Sequence, residues 1–184
     1  ESEPKVDCTV YMGFAKGDKL EHVIQKATEL GANRICAFPS SRCVAKFDRK
    51  SLEKKLPRWQ KIAASAAEQS GRGRIPKVSP VQNLNECDFS GFDAVLIAYE
   101  DEEKTTLKQA LRKAFGEEKG KSDEGGNDIA IIIGPEGGFE PTEVESVLKN
   151  SPAAKSVSHG KMILRTETAG TVLVVMGRHE DEGG

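Results

Sequence analysis

The sequence predicts an α/β fold built on parallel strands, and two observations support this. Short apolar stretches of strand length alternate along the chain with longer amphipathic stretches of helical periodicity. The clearest apolar stretch, Ile129–Ile133, runs directly into the glycine-rich segment Gly134–Phe139, and Glu140–Glu143 then has the proline and acidic residues of a helix start. This order predicts a ligand loop between a strand and a helix.

The other elements follow from periodicity and from the residues that start or end them. In the first half we predict a strand at Cys8–Phe14, a helix at Asp18–Leu30 that Gly31 ends, a strand at Arg34–Phe38, a helix at about Ser51–Ser70 and a loop at Pro76–Ser90. In the second half we predict a strand at Asp93–Tyr99, a helix at about Lys104–Phe115, a polar insert at about 116–127, a strand at Lys155–Ser158 and an apolar helix at about Thr168–Met176.

The composition is that of an ordinary globular chain. Its 184 residues, 37% hydrophobic and 30% charged, suit a single domain over residues 1–184. No apolar run reaches the length that crosses a membrane, so no membrane partner is predicted. The cysteines have no C-x-x-C spacing and no clustered histidines, so we predict no metal site and expect reduced, buried thiols at Cys8, Cys36, Cys43 and Cys87.

Positive charge is concentrated in the first part of the chain. Residues 1–77 contain 16 Lys and Arg against 9 Asp and Glu, and the remainder contains 11 against 20. The basic part is therefore the candidate for binding nucleic acid. On the long helix, one face would carry Lys50, Lys54, Arg58 and Lys61, and another Leu52, Leu56, Trp59, Ala63 and Ala66. A merely solvated surface is the alternative explanation of the basic stripe. Pro57 would kink the helix or begin it. The residues that we predict to contact RNA are Arg42, Lys46, Gln69, Arg72 and Arg74.

Glu136 constrains what the first glycine loop binds. Its carboxylate would repel phosphates, and no Lys-Ser/Thr pair follows the glycines as a P-loop requires. No G-x-G-x-x-G opens a helix elsewhere, so a dinucleotide site is not predicted. A cationic or hydroxyl-rich adenosyl ligand fits better. An ordinary tight turn between strand and helix is the alternative.

A second loop, His159–Ala169, follows one more helix and a short strand. Both loops would then meet at the carboxyl edge of parallel strands, which is where ligands bind in open α/β sheets. Two such loops at one edge favour a binding site over two unrelated turns.

The loop sequences Gly134–Phe139 and Ile163–Ala169 resemble those of the SPOUT superfamily of knotted methyltransferases. Within it they resemble the RsmE family, which methylates uridine N3 in small-subunit ribosomal RNA. Segments 16–19, 25–31, 58–63 and 67–72 also resemble blocks of that family, so the resemblance extends from about Tyr11 to Val175. It implies a SPOUT-type, mostly parallel sheet with a C-terminal trefoil knot, a homodimer, and S-adenosylmethionine as cofactor. It also leads us to expect that the family's N-terminal PUA-like RNA-binding barrel is absent from this chain.

The same resemblance assigns roles to individual residues. The adenosyl group is expected to be held by Gly134, Glu136, Gly137, Gly138, Gly160, Ile163, Leu164 and Thr168, with Tyr99 and Glu100 completing the pocket. Arg165 is the predicted catalytic cation that stabilises charge on the uracil, and an ion pair across the dimer is its alternative role. Glu167 is predicted to be the base or to orient Arg165, and compensation of the helix dipole is its alternative role.

The chain departs from the family pattern at two positions. Met162 stands where relatives usually have an arginine, and Glu140 where they usually have a serine. The first departure puts RNA or dimer contacts in doubt, whereas the second alters only a helix N-cap. The alternative functions are a knotted methyltransferase acting on another RNA such as transfer RNA, and a non-catalytic RNA-binding or ribosome-assembly module. The expected location is the bacterial cytoplasm, or a chloroplast or mitochondrion for a eukaryotic source.

Overall fold

A computed structural model describes residues 6–14, 19–29, 31–39, 49–81, 83–99, 127–134 and 138–157. These residues form one sheet of six strands with three α-helices and a 3₁₀ turn. The strands are β1 (Val6–Gly13), β2 (Arg34–Phe38), β3 (Lys77–Pro80), β4 (Ala94–Ala98), β5 (Asn127–Ile133) and β6 (Ala154–Val157). The helices are α1 (Lys19–Glu29), α2 (Arg49–Gln69) and α3 (Pro141–Asn150), and the 3₁₀ turn is Leu84–Glu86.

The strands lie in the order β3-β2-β1-β5-β4-β6, and all of these pairings are parallel. The predicted α/β fold on parallel strands is therefore confirmed. β1 and β5 lie at the centre of the sheet, where both faces are covered. Strands in such a position read as nearly continuous apolar runs, which is why Ile129–Ile133 is buried along its whole length.

Helices and turns cover the two faces of the sheet, and successive side chains of each strand point to opposite faces. On β1, Val10 and Met12 pack in the core shared with α1 and α2. Tyr11, between them, packs on the other face with the 3₁₀ turn and α3. The sheet is thus the middle layer of three, and its two edges, at the amino and carboxyl ends of the strands, are left for loops.

Helix α2 has the two faces that the sequence predicts. Trp59, Ala63 and Ala66 are buried, and Leu52 and Leu56 are half-buried against the same core. The helix runs through Pro57 and begins eight residues before it, so the alternative that Pro57 starts the helix is wrong. No helix in the described ranges is long and apolar enough to cross a membrane.

The predicted loop at Pro76–Ser90 is wrong in part, because it contains β3 and the 3₁₀ turn. β3 is a four-residue edge strand bordered by prolines, a pattern that favours a loop in a sequence. The Gln60 side chain of α2 stabilises its outer side. Gln60 Nε2 donates to the Pro76 carbonyl at 2.8 Å, and the Val78 amide donates to Gln60 Oε1 at 3.0 Å. The side-chain amide of Gln60 therefore pairs with backbone groups that a neighbouring strand would otherwise pair with.

Three predictions of organisation concern residues that the structure does not describe. They are the helix at Lys104–Phe115, most of the polar insert at 116–127, and the apolar helix at Thr168–Met176 with the trefoil knot that it would close. The insert ends by residue 126, because Asn127 is already paired with Val6 of β1. The assignment of residues 1–184 to a single domain stays a prediction.

Candidate functional site

The carboxyl ends of β4, β5 and β6 lie level with one another. Ala98, at the end of β4, is in register with Ile133 of β5 and with Val157 of β6. Tyr99 continues beyond β4, and its amide donates to the Val157 carbonyl at 3.1 Å. Gly134 follows Ile133 at the same edge. The first glycine loop therefore begins at the edge where β4 and β6 end. The role of Tyr99 in a cofactor pocket stays a prediction, and the second loop, His159–Ala169, lies outside the described residues.

The two described glycines of the first loop are each required for a different structural reason. Gly138 has a φ of 70°, a left-handed conformation that strongly favours glycine. Gly134 is buried, and a Cβ placed on it would lie 3.1 Å from Cδ2 and Cε2 of Phe139. Gly134 thus leaves room for the Phe139 ring at the end of β5, and Gly138 supplies the left-handed turn directly before that ring.

Phe139 anchors this turn. Its ring is 3% exposed and stacks on Phe38, at the end of β2, with ring centroids 6.2 Å apart and planes 7° from parallel. The carboxyl ends of β2 and β5 are thereby linked across β1. Phe139 is not among the site residues predicted from the sequence, although an aromatic residue directly after a glycine turn is a signal of such an anchor.

Helix α3 starts as its sequence predicts. Glu140 is the N-cap, Pro141 is the first helical residue, and the Glu140 amide donates to Oε2 of Glu143 at 2.9 Å. Two carboxylates thus occupy the helix start, which would otherwise attract an anion. Gly134 and residues 138–145 contain no Lys or Arg. This part of the edge suits a neutral or cationic ligand better than a phosphate.

Most other predicted site residues lie outside the described residues. For the cofactor site they are Glu100, Glu136, Gly137, Gly160, Ile163, Leu164 and Thr168. For catalysis they are Arg165 and Glu167, and for RNA they are Arg42 and Lys46. Their roles stay predictions.

The remaining predicted RNA residues lie toward the amino edge. Gln69 and Arg74 are exposed, and Arg74 Nη1 lies 3.9 Å from Asp7 Oδ1 at the start of β1. Arg72 Nη1 donates to the carbonyls of Thr28 at 3.1 Å and Ala32 at 2.6 Å, so it also closes the end of α1. At about 3.3 Å per residue, β1 separates this edge from the carboxyl edge by about 25 Å.

Of the described cysteines, Cys8 is buried as predicted, whereas Cys36 and Cys87 are half-buried, so the prediction of burial is wrong for those two. Burial raises the pKa of Cys8 to about 12 and that of Cys87 to about 11, and it also raises the pKa of Cys36. These thiols therefore stay protonated at neutral pH and are poor nucleophiles. Among the described residues no group of His, Cys, Asp and Glu could hold a metal ion. Cys43 lies outside them.

Comparison with known proteins matches this architecture. The sequence model of the RNA methyltransferase domain family matches residues 2–176. Ribosomal RNA small subunit methyltransferase E of Bacillus subtilis is 40% identical over 159 residues, covering 85% of this chain and 59% of that protein. The crystal structure of the enzyme of that name from Neisseria gonorrhoeae, bound to S-adenosyl methionine, is 27% identical with a TM-score of 0.75. The match covers 97% of this chain and 68% of that one.

The fold is also found in more distant proteins. The TrmH/SpoU tRNA modifying enzyme of A. aeolicus has a TM-score of 0.54 at 12% identity, covers 96% of this chain and 77% of that one, and is similar in fold alone. The described fold is an α/β protein with a parallel sheet, which it shares with these enzymes. The chain belongs to the RNA methyltransferase domain family, so the resemblance first seen in the loop sequences is confirmed. It spans about three fifths of the B. subtilis protein's length.

The tight packing at Gly134 gives a first prediction. Gly134→Ala is expected to destabilise the fold by about 1–3 kcal/mol, because the new methyl group would push the Phe139 ring away from Phe38. Urea unfolding followed by circular dichroism measures the change. Gly91→Ala is the matched control, because a Cβ at Gly91 has nothing within 4 Å. Equal stability of the two variants would contradict the packing role of Gly134.

Proposed function

We propose that this chain is the S-adenosylmethionine-dependent methyltransferase domain of an enzyme that methylates N3 of a uridine in small-subunit ribosomal RNA. The observation that supports this most is the placement of Tyr99, Gly134 and Val157 at one edge of a SPOUT-type sheet. The name of the B. subtilis relative supports small-subunit ribosomal RNA as the substrate, and the cofactor in the N. gonorrhoeae structure supports the methyl donor. The choice of uridine N3 rests on the resemblance of the loop sequences.

The charges at the edge fit this cofactor. S-adenosylmethionine carries a sulfonium, an ammonium and a carboxylate group, so its net charge is positive, and it has no phosphate. The start of α3 holds the carboxylates of Glu140 and Glu143, and no Lys or Arg lies in the described part of that loop and helix start. A triphosphate would meet only repulsion from these groups, whereas a cationic ligand would not. The backbone turn at Gly138 and the half-buried Tyr99 would contact the adenosyl group.

The proposed reaction is one in-line displacement. When bound, the cofactor supplies a methyl group that uracil N3 attacks, so the N3–carbon bond forms as the carbon–sulfur bond breaks and sulfur keeps the electron pair. The N3 proton must also leave, because N3 is protonated at neutral pH. We assign Arg165 to the stabilisation of the negative charge that develops on the uracil. Glu167 would accept the proton or hold Arg165 in place.

The remaining predicted residues belong to RNA binding. Arg42 and Lys46 follow β2, which ends at the cofactor edge, and would contact phosphates near the target uridine. Gln69, Arg72 and Arg74 lie about 25 Å away and would contact RNA far from it or beside the site of a second protomer. We include a homodimer in the proposal. We also place the enzyme in the bacterial cytoplasm, or in a chloroplast or mitochondrion for a eukaryotic source.

The proposed substrate is tested by identifying the nucleoside that receives the methyl group. The chain is incubated with methyl-labelled S-adenosylmethionine and unmodified small-subunit ribosomal RNA, which is then digested to nucleosides. We expect the label in N3-methyluridine, with little of it when heat-denatured protein is used. Label in a ribose-methylated nucleoside or in methylguanine would replace the uridine assignment. Absence of label with a protein that binds both ligands would favour the non-catalytic RNA-binding module.

A further inference from the structure

The outer face of α2 carries three exposed lysines at helical spacing. Lys50, Lys54 and Lys61, here named the lysine stripe, are exposed and make no ion pair with another described residue. At about 100° per residue they fall within about 40° of one another around the helix axis. At about 1.5 Å per residue the stripe is about 16 Å long. The helix contains six Lys and Arg against two Glu.

Arg58 differs from these lysines because it holds α2 to α1. Its Nε donates to Glu21 Oε1 at 2.7 Å, and its Nη2 donates to Oε2 of the same carboxylate at 3.1 Å. Two parallel bonds of this kind fix the orientation of the pair. The charge of Arg58 is therefore balanced within the protein.

The contacts of α2 show where the lysine stripe lies. Glu21 is in the first turn of α1, which follows the carboxyl edge of the sheet, and it is level with Arg58. Near the other end, Arg72 reaches the carbonyls of Thr28 and Ala32. Because Glu21 is two residues inside α1, residues 49–55 of α2 extend beyond the start of α1, by about 10 Å at 1.5 Å per residue. Lys50 and Lys54 lie on this overhang, on the side of the cofactor edge.

We propose that the lysine stripe binds the phosphate backbone of the RNA substrate and directs it toward the cofactor edge. The inference rests on the proposed function and adds the surface along which the RNA lies. Lysines at intervals of one or two helical turns neutralise successive phosphates without reading bases. A membrane surface fits poorly, since the apolar face of α2 is packed in the core around Trp59 and Ala63 and cannot enter lipid.

The test is the salt dependence of RNA binding. Fluorescence anisotropy of a fluorescein-labelled stem-loop from small-subunit ribosomal RNA is measured from 50 to 300 mM salt with the wild-type chain and with K50Q/K54Q/K61Q. Glutamine keeps the helix propensity. We expect the triple variant to bind about 10- to 100-fold more weakly at low salt and its log–log salt slope to fall by about 2 to 3. The KM for RNA rises, while kcat and S-adenosylmethionine affinity are unchanged.

A matched control removes the same charge elsewhere. R34Q/K77Q/K149Q neutralises three exposed basic residues on β2, β3 and α3, and it is expected to keep most of the affinity and slope. Equal losses in both triple variants would show an effect of net charge and overturn the proposal. A change in sedimentation of the lysine-stripe variant would overturn it too, by assigning the face to contact between protomers. If the wild type methylates RNA and the lysine-stripe variant binds RNA as the wild type does, only this inference fails. A wild type that binds no S-adenosylmethionine would instead refute the proposed function.

Discussion

Arg165→Ala is expected to lower the rate of methyl transfer to RNA about 100- to 1,000-fold, the range for loss of one group that stabilises charge in a transition state. S-adenosylmethionine is expected to bind within about twofold of the wild-type affinity. The reason is that the guanidinium acts on the uracil, where negative charge develops as the N3 proton leaves. Single-turnover transfer of a labelled methyl group gives the rate, and calorimetry gives the affinity.

Two further variants sharpen this prediction. Arg165→Lys keeps the positive charge but loses the planar guanidinium, so it should recover only part of the rate. Arg178→Ala removes an arginine outside both loop motifs and should behave like the wild type. Raising the pH should help Arg165→Ala more than the wild type, because more uracil is then ionised without the enzyme. An equal loss of cofactor binding in Arg165→Ala would assign Arg165 to holding the cofactor.

Phe139→Ala is expected to destabilise the fold by about 3–5 kcal/mol and to weaken S-adenosylmethionine binding more than tenfold. The ring is almost completely buried, so its removal leaves a cavity between the glycine loop and Phe38. The loop would then lose the contact that links it to β2. Chemical unfolding gives the stability, and calorimetric titration gives the affinity. Phe139→Leu keeps most of the volume and is expected to fold with a smaller loss of both.

Phe89→Ala separates loop positioning from general stability. Phe89 is buried on the same face of the sheet but packs edge-on against Tyr11, with centroids 5.2 Å apart. Its truncation should cost a comparable free energy of unfolding while folded protein keeps its cofactor affinity. If Phe139→Leu and Phe89→Ala reduce the affinity equally, the loop does not depend on Phe139 for its position.

The parts of the fold that the sequence predicts best are those governed by local pattern. β2 has the predicted limits, Arg34–Phe38, and α1 and α2 differ from prediction by one or two residues at most at each end. Buried strands and amphipathic helices can be recognised in a sequence because burial requires apolar residues at the period of the backbone. The same holds for the helix start at Glu140–Pro141, where the signal is in the capping residues themselves.

The parts that were missed depend on contacts between residues far apart in the chain. β3 is held by Gln60 of another element, and nothing in its own four residues indicates a strand. The basic surroundings of Arg72 predict an RNA contact, whereas its bonds to Thr28 and Ala32 join positions about forty residues away. The sequence predicts Gly134 as a ligand contact, and the packing of Phe139 against it is a structural reason for the glycine. A glycine or arginine in such a pattern shows that its position is constrained, but it does not show which contact imposes the constraint.

The central claim is that the edge beside Tyr99, Gly134 and Gly138 holds S-adenosylmethionine. Calorimetric titration of the chain with S-adenosylmethionine, and separately with ATP, tests it without an RNA substrate. We expect saturable binding of S-adenosylmethionine and little or none of ATP, since the carboxylates at the start of α3 disfavour a triphosphate. Preferential binding of ATP, or no binding of S-adenosylmethionine by folded protein, would contradict the account.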